Sequence, residues 1–209
     1  MIDITESFFN FTNLPVVRKT ARLLLGAIEF NKDFCINING LKLYSNTPDR
    51  ILAAMMWKLS GLEENEIRFM RKYLTRDTVI LDVGANIGFF SLTAASIQPN
   101  LSKIYAFEPD PNNFRLLKKN IQQNRFSNIA PVRSAVSDKC GTGRLYISKE
   151  HRGDHRIFDS GDGRRASAVN IVSIDEYFRE KNKVDLIKLD VQGAEFRALQ
   201  GMKKTILQN

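Results

Sequence analysis

The chain has 209 residues, 43% of them hydrophobic, and a formal net charge of +8. That is enough apolar material for one sizeable core, and it excludes a disordered chain. No apolar run reaches membrane-spanning length, "ILAAMMW" stopping at Lys58, and the start "MIDITESFF" lacks the basic stretch of a secretory signal.

The two cysteines, Cys35 and Cys140, make neither a disulfide framework nor a metal cluster, so a reducing, cytoplasmic setting is expected. The positive charge favours anionic partners such as nucleic acid, a membrane surface or a phosphorylated substrate. Its basic residues are scattered, however, as on an ordinary solvated surface.

In chain order, "PVVRKTARLLLGAIEF" (15–30) reads as an amphipathic helix with Pro15 at its start. "FCININGLKLYS" alternates around Asn39-Gly40, a dipeptide suited to a tight hairpin turn. "NTPDRILAAMMWKLSG" reads as a helix capped by Thr47 and ended by Gly61. "EENEIRFMRKYL" is a second helix with Ile67, Met70 and Leu74 on one face. A domain boundary is expected near residue 77, dividing an N-terminal extension (1–77) from a second domain (78–209).

Beyond it strands and helices alternate. "VILDVGA" (79–85), "KIYAFEP" (103–109), "IAPVRSAVSD" and "VDLIKLDV" (184–191) read as strands of one series. "IGFFSLTAASIQ", "DPNNFRLLKKNIQQN" and "AEFRALQGMKKTIL" read as the helices. Asp110 caps the middle one, Pro111 opens it, and Phe114, Leu117 and Ile121 share its apolar face. "GRLYIS" and "VNIVSI" are accessory strands. The pattern predicts a mostly parallel sheet with helices on both faces.

In such sheets ligands bind at the carboxyl ends of the strands, at the point where strand order reverses. Three carboxylates fall there: Asp82, Glu108 and Asp190. Each follows an apolar run, where an unpaired charge is costly. Gly84 and Gly88 permit sharp bends and close approach, and Asn86 tolerates a left-handed backbone. The stretch "GANIGFF" has Phe where a dinucleotide fingerprint wants its third glycine, so NAD fits poorly. Glu108, 26 positions after Asp82, is placed to accept both hydroxyls of a ribose.

The blocks "VILDVGANIGFFSL", "AFEPDPNNFRLLKKNI", "SAVSD" and "DLIKLDVQGAE" together resemble the FkbM family of S-adenosylmethionine-dependent methyltransferases, from about residue 63 to the last residue. The resemblance implies the Rossmann-like class I methyltransferase fold. It implies that Asp82, Gly84, Asn86 and Gly88, with Ala85 and Phe89 in the same loop, surround the methionine end of the cofactor. Glu108, beside Pro109, would hold the ribose; Ala135, Val136 and Asp138 would flank the adenine. Asp190, Val191 and Gln192 would lie near the reacting methyl group. The family usually has Glu where this chain has Gln192, which puts an acid–base role there in doubt. Glu195 fits both the family pattern and a helix first turn.

The implied activity is methylation of a hydroxyl on a sugar, glycan precursor or secondary metabolite. An alcohol acceptor benefits from a base, and Asp190 and His155 are the candidates. Both histidines fall in "HRGDHRIFDSGDGRR" (151–165), which reads as an exposed loop. It is placed to close over the acceptor, with Arg156, Arg164 or Arg165 gripping an anionic group. The histidines and scattered acids have no metal-ligand spacing. The alternatives are an RNA methyltransferase, suggested by charge but without a recognisable RNA-binding module, and a cofactor-binding module without turnover. The resemblance also implies further strands after the last helix. An open parallel edge is unprotected, so truncation or a homo-oligomer is expected.

Overall fold

The structure, a computed structural model, describes residues 33–46, 62–100, 103–148, 155–178 and 183–209. The helix expected over 15–30, residues 47–61 of the next expected helix, and His151 lie outside the described residues. The chain divides into two units between Phe69 and Met70.

In the first unit β1 (Phe34–Ile38) and β2 (Leu41–Ser45) form an antiparallel hairpin with Ile38 opposite Leu41. Asn39 and Gly40 both take positive φ, 52° and 84°, which a two-residue turn between right-twisted strands requires. Helix α1 (Leu62–Tyr73) carries the division between the units. Met70 and Leu74 are buried, as their spacing predicts.

The second unit is built on four parallel strands in the order β5-β4-β3-β9: Ile129–Val132, Lys103–Phe107, Val79–Val83 and Leu186–Leu189. Chain order therefore reverses between β3 and β9, and the crevice above that pair is the switch point. Among the described residues β9 is one edge of this sheet. Helix α2 (Phe89–Ile97) follows β3 and α3 (Pro111–Gln123) follows β4. The cap on α3 is the one expected: Asp110 Oδ1 accepts from the N–H groups of Asn112 and Asn113, at 3.0 and 2.8 Å.

Alternate sheet residues face opposite layers. Leu81, Val83 and Phe107 pack with Ile174 and Phe178 of α4 (Ile174–Phe178), Ala198 of α5 (Glu195–Gln200) and Met202. Ile80, Asp82, Ile104 and Ala106 alternate with them and are also fully buried. Ser91 of α2 reaches Asp82 on that face. Burial of side chains this size stabilises by roughly 1.5–3 kcal/mol each, which makes the sheet the core of the unit.

A second sheet, β6-β8-β7, comprises Ala135–Val136, Arg165–Val172 and Gly141–Ile147. Its β7–β8 pair is antiparallel over the whole of β7. The single helix expected after Gly193 is two: α5 ends at Gln200 and α6 (Lys203–Gln208) begins three residues later. Packing explains the break. A β-carbon on Gly201 would lie 1.9 Å from the Ser137 carbonyl oxygen. The Gly201 carbonyl accepts from Asp175 N–H and from the Ser173 hydroxyl, both at 2.9 Å. Asp175 in turn receives the Thr205 N–H and hydroxyl at 2.8 Å each, fixing the start of α6.

Candidate functional site

The loop after β3 turns through three positive φ angles, at Gly84 (82°), Asn86 (53°) and Gly88 (93°). The two glycines serve protein neighbours. A β-carbon on Gly84 would meet the Asp190 carbonyl oxygen at 1.9 Å, and one on Gly88 would meet Leu117 Cδ1 at 2.5 Å. Four of the loop amides are likewise spent inside the protein. Gly84 and Ala85 donate to the Phe107 carbonyl at 3.1 and 2.9 Å, and Gly88 donates to Ala85. Asn86 N–H donates to Glu108 Oε2 at 2.9 Å. From α3, Asn120 holds the Ile87 carbonyl at 2.8 Å. Those four amides are therefore not offered to a phosphate.

Glu108, at the end of β4, is buried and acts as a hub. Besides Asn86, its Oε1 accepts from Asp110 N–H at 2.9 Å and Asn113 Nδ2 at 3.3 Å. The carboxylate therefore ties the β3 loop to the start of α3.

Asp82 is completely buried. Its Oδ2 accepts from the Ser91 hydroxyl at 2.6 Å. Lys188, directly opposite on β9, brings Nζ within 3.2 Å of Oδ1 and donates to the Gly84 carbonyl at 2.8 Å. The Asp82 contact is a charge pair without hydrogen-bond alignment, since Oδ1 has no aligned donor. The same ammonium stands 4.0 Å from Asp190 Oδ2. Lys188 thus joins both sides of the switch point. Its only sequence signal is a lone cation in an apolar run.

Asp190 is 56% exposed, and its Oδ1 accepts from Gln192 Nε2 at 2.6 Å. Gln192 itself sits at φ 53°. Glu195 Oε1 accepts from Gly193 and Val191 N–H, at 3.0 and 3.3 Å. The Gly193 bond, foremost, holds the Glu195 carboxyl below its usual range.

These pieces enclose one cavity. Gly84, Asn86, Glu108, Pro109, Asp190, Val191 and Gln192 line it at the sheet end, with Phe107 and Asn113. Ser134, Ala135, Val136, Leu145, His155 and Ile157 line the remainder. Asp190 and His155 thus face one cavity. Asp82, Ala85, Gly88 and Phe89 stand behind the wall rather than on it. Asp138 is exposed, accepts from the Ser137 hydroxyl at 3.0 Å and lies beside Gly201 instead of the cavity. None of Arg156, Arg164 and Arg165 lines it: Arg164 pairs with Asp162 at 2.7 Å, and Arg156 lies 5.9 Å from the Phe158 ring centre. Asn113, Ser134, Leu145 and Ile157 were not singled out by the sequence, because their placement depends on how two sheets meet.

The lining carries two carboxylates, Glu108 and Asp190, and no Lys or Arg among the described residues. In a chain of net charge +8 this is an acidic cavity. Asn86, one of the lining residues, has its Oδ1 buried without a hydrogen-bond partner. An ammonium-bearing ligand supplies the donor that such an atom lacks.

The sequence profile of the methyltransferase FkbM domain matches residues 82–209. The chain belongs to the FkbM family. Among its relatives, hexuronic acid methyltransferase AglP of Haloferax volcanii is 29% identical over 156 residues, covering 72% of this chain. The chain spans 62% of the length of AglP. The 31-O-demethyl-FK506 methyltransferase FkbM of Streptomyces tacrolimicus is 40% identical over 67 residues, 32% of this chain and 25% of that protein. The crystal structure of a methyltransferase FkbM from Methylobacillus flagellatus KT aligns over 66% of this chain and 32% of its own, with a TM-score of 0.48 and 19% identity. No helix among the described residues is long and apolar enough to cross a membrane.

Proposed function

We propose that this FkbM-family chain binds S-adenosylmethionine and methylates a hydroxyl group on a sugar, glycan precursor or secondary metabolite. The observation that carries the reading is the acidic cavity at the switch point, whose glycine loop has spent four amides on protein acceptors. Such a site disfavours a pyrophosphate and suits a ligand with cationic sulfonium and ammonium groups and a ribose.

In this reading Asn86 and the backbone around Gly84 receive the methionine end. Glu108, with Pro109 beside it, faces the ribose. Its two oxygens already accept from Asp110, Asn113 and Asn86, which fixes the carboxylate in place toward the cavity. Ala135, Val136, Leu145 and Ile157 supply an apolar slot for the base. The bound cofactor supplies an electrophilic methyl on a good leaving group. The protein's contribution is alignment and removal of the acceptor's proton. In this reading Asp190 takes that proton: it lines the cavity, with Gln192 holding its Oδ1 and the Lys188 ammonium 4.0 Å from its Oδ2. The sugar-like acceptor class is supported by the likeness to a hexuronic acid methyltransferase.

Calorimetry with S-adenosylmethionine and S-adenosylhomocysteine tests the premise, and micromolar binding is expected. Incubation with hexuronic acids, other sugars and hydroxylated metabolites, read by S-adenosylhomocysteine release, tests the acceptor. Asp190→Asn is expected to abolish turnover while leaving S-adenosylhomocysteine affinity within about threefold. Absence of binding sinks the proposal. Binding without turnover on any acceptor points to a regulatory module, and methyl transfer to RNA would replace the acceptor class.

A further inference from the structure

The Lys188 ammonium stands behind the cavity wall rather than on it. Two of its contacts belong to lining residues: it donates to the Gly84 carbonyl at 2.8 Å and lies 4.0 Å from Asp190 Oδ2. The third belongs to Asp82, 3.2 Å away, which is wholly buried and does not line the cavity. One ammonium therefore serves two carboxylates, one beneath the wall and one on it.

Backbone contacts already join the two strand ends. Asp190 N–H donates to the Val83 carbonyl at 3.0 Å, and the Asp190 carbonyl fills the space where a Gly84 β-carbon would stand. What the lysine adds to these contacts is a charge. Asp82 Oδ1 has no hydrogen-bond donor, so the ammonium balances that carboxylate by Coulomb attraction. The pair is largely shielded, with the Lys188 side chain 25% exposed and Asp82 not at all, so water and salt screen it less than a surface pair. Its field reaches charged groups in the cavity without touching them.

We propose that Lys188, balanced by Asp82, is a specificity-determining residue: the pair sets how far the cavity prefers a cationic sulfonium over the neutral thioether left after methyl loss. This assignment rests on the cofactor reading above. S-adenosylmethionine and S-adenosylhomocysteine differ by one methyl and one unit of charge. An ammonium behind the wall repels the sulfonium and not the thioether, and the Asp82 carboxylate offsets that repulsion. The balance of the pair decides the relative hold on substrate and product.

Calorimetry on the intact chain with both ligands reads the ratio of their affinities. A purely structural role moves both affinities together and leaves the ratio alone. Asp82→Asn leaves the ammonium unbalanced and is expected to lower the ratio of S-adenosylmethionine to S-adenosylhomocysteine affinity about fivefold. Lys188→Met, measured at about pH 8.5, far above the ordinary carboxylate range, is expected to raise it about fivefold. The double variant removes both charges, and Lys188→Arg keeps them; both are expected within about twofold of the parent ratio. A ratio within about twofold of the parent's in either single variant, two shifts of the same sign, or a double or Lys188→Arg variant that departs from the parent overturns the assignment. If one single variant does not fold, the other, read against the double, still decides. Failure of both ligands to bind the unmodified protein is a separate result that overturns the cofactor reading instead.

Discussion

Replacing Lys188 by Met tests the charge pair beneath the cavity. Asp82 has no exposed surface, and its partners are the Ser91 hydroxyl at 2.6 Å and the Lys188 ammonium at 3.2 Å. Lys188→Met retains most of the side-chain volume but leaves a buried carboxylate with one neutral donor. Breaking a buried pair from one side costs about 3–5 kcal/mol. Lys188 is 25% exposed, so water moderates the loss, and roughly 2–3 kcal/mol is the expected destabilisation. For a chain of this size that is a fall in Tm of roughly 5–10 °C. Urea unfolding of Lys188→Met, Asp82→Asn and the double variant measures it. The double variant should lose about 2 kcal/mol less than the two singles together, because removing both charges leaves neither stranded. A single-variant loss under about 0.5 kcal/mol, or strict additivity, would refute the argument.

Three other outcomes follow from the geometry. Asn86→Gly keeps the left-handed backbone but removes the unpartnered Oδ1, so S-adenosylhomocysteine affinity should fall about tenfold with little change in Tm. Glu195→Gln should cost about 1 kcal/mol at pH 7. The folded Glu195 pKa is lowered, foremost by the Gly193 N–H, so its stabilisation is full above the ordinary carboxylate range near about 4.3. It is lost as pH falls through the folded value, and denaturation at stepped pH should show the variant converging on the parent at acid pH. Gly201→Ala places a β-carbon 1.9 Å from the Ser137 carbonyl and should destabilise by about 2–3 kcal/mol. The cavity does not include Gly201, so affinity per folded molecule should stay within about twofold.

Local chemistry made much of the fold legible. Asp110 and Pro111 announced the start of α3, Asn39-Gly40 the hairpin, and the apolar runs the four parallel strands. The carboxylates at strand ends pointed to the crevice because charge after an apolar run is costly without a purpose. What could not be read was pairing between distant segments. Lys188 acquires its meaning only from being in register with Asp82 across two parallel strands. The break at Gly201 depends on the Ser137 carbonyl, and the Ser148 N–H donates to the His155 ring seven residues away. Each is a relation set by tertiary register, which hydrophobic periodicity does not encode.

The glycine loop shows how the same residues can support a different chemical reason. Close backbone approach and sharp turning suggested a loop that hugs its ligand. In the folded chain the space freed at Gly84 is taken by the Asp190 carbonyl and that at Gly88 by Leu117. The amides of Gly84, Ala85, Asn86 and Gly88 all have protein acceptors. What the loop has left for a ligand is side-chain oxygen, on Asn86 and on neighbouring Glu108 and Asp190. Backbone amides attract anions, whereas such oxygens attract cations and hydroxyl donors. The loop therefore locks the end of β3 to the end of β9, and the acidic side chains around it select the ligand.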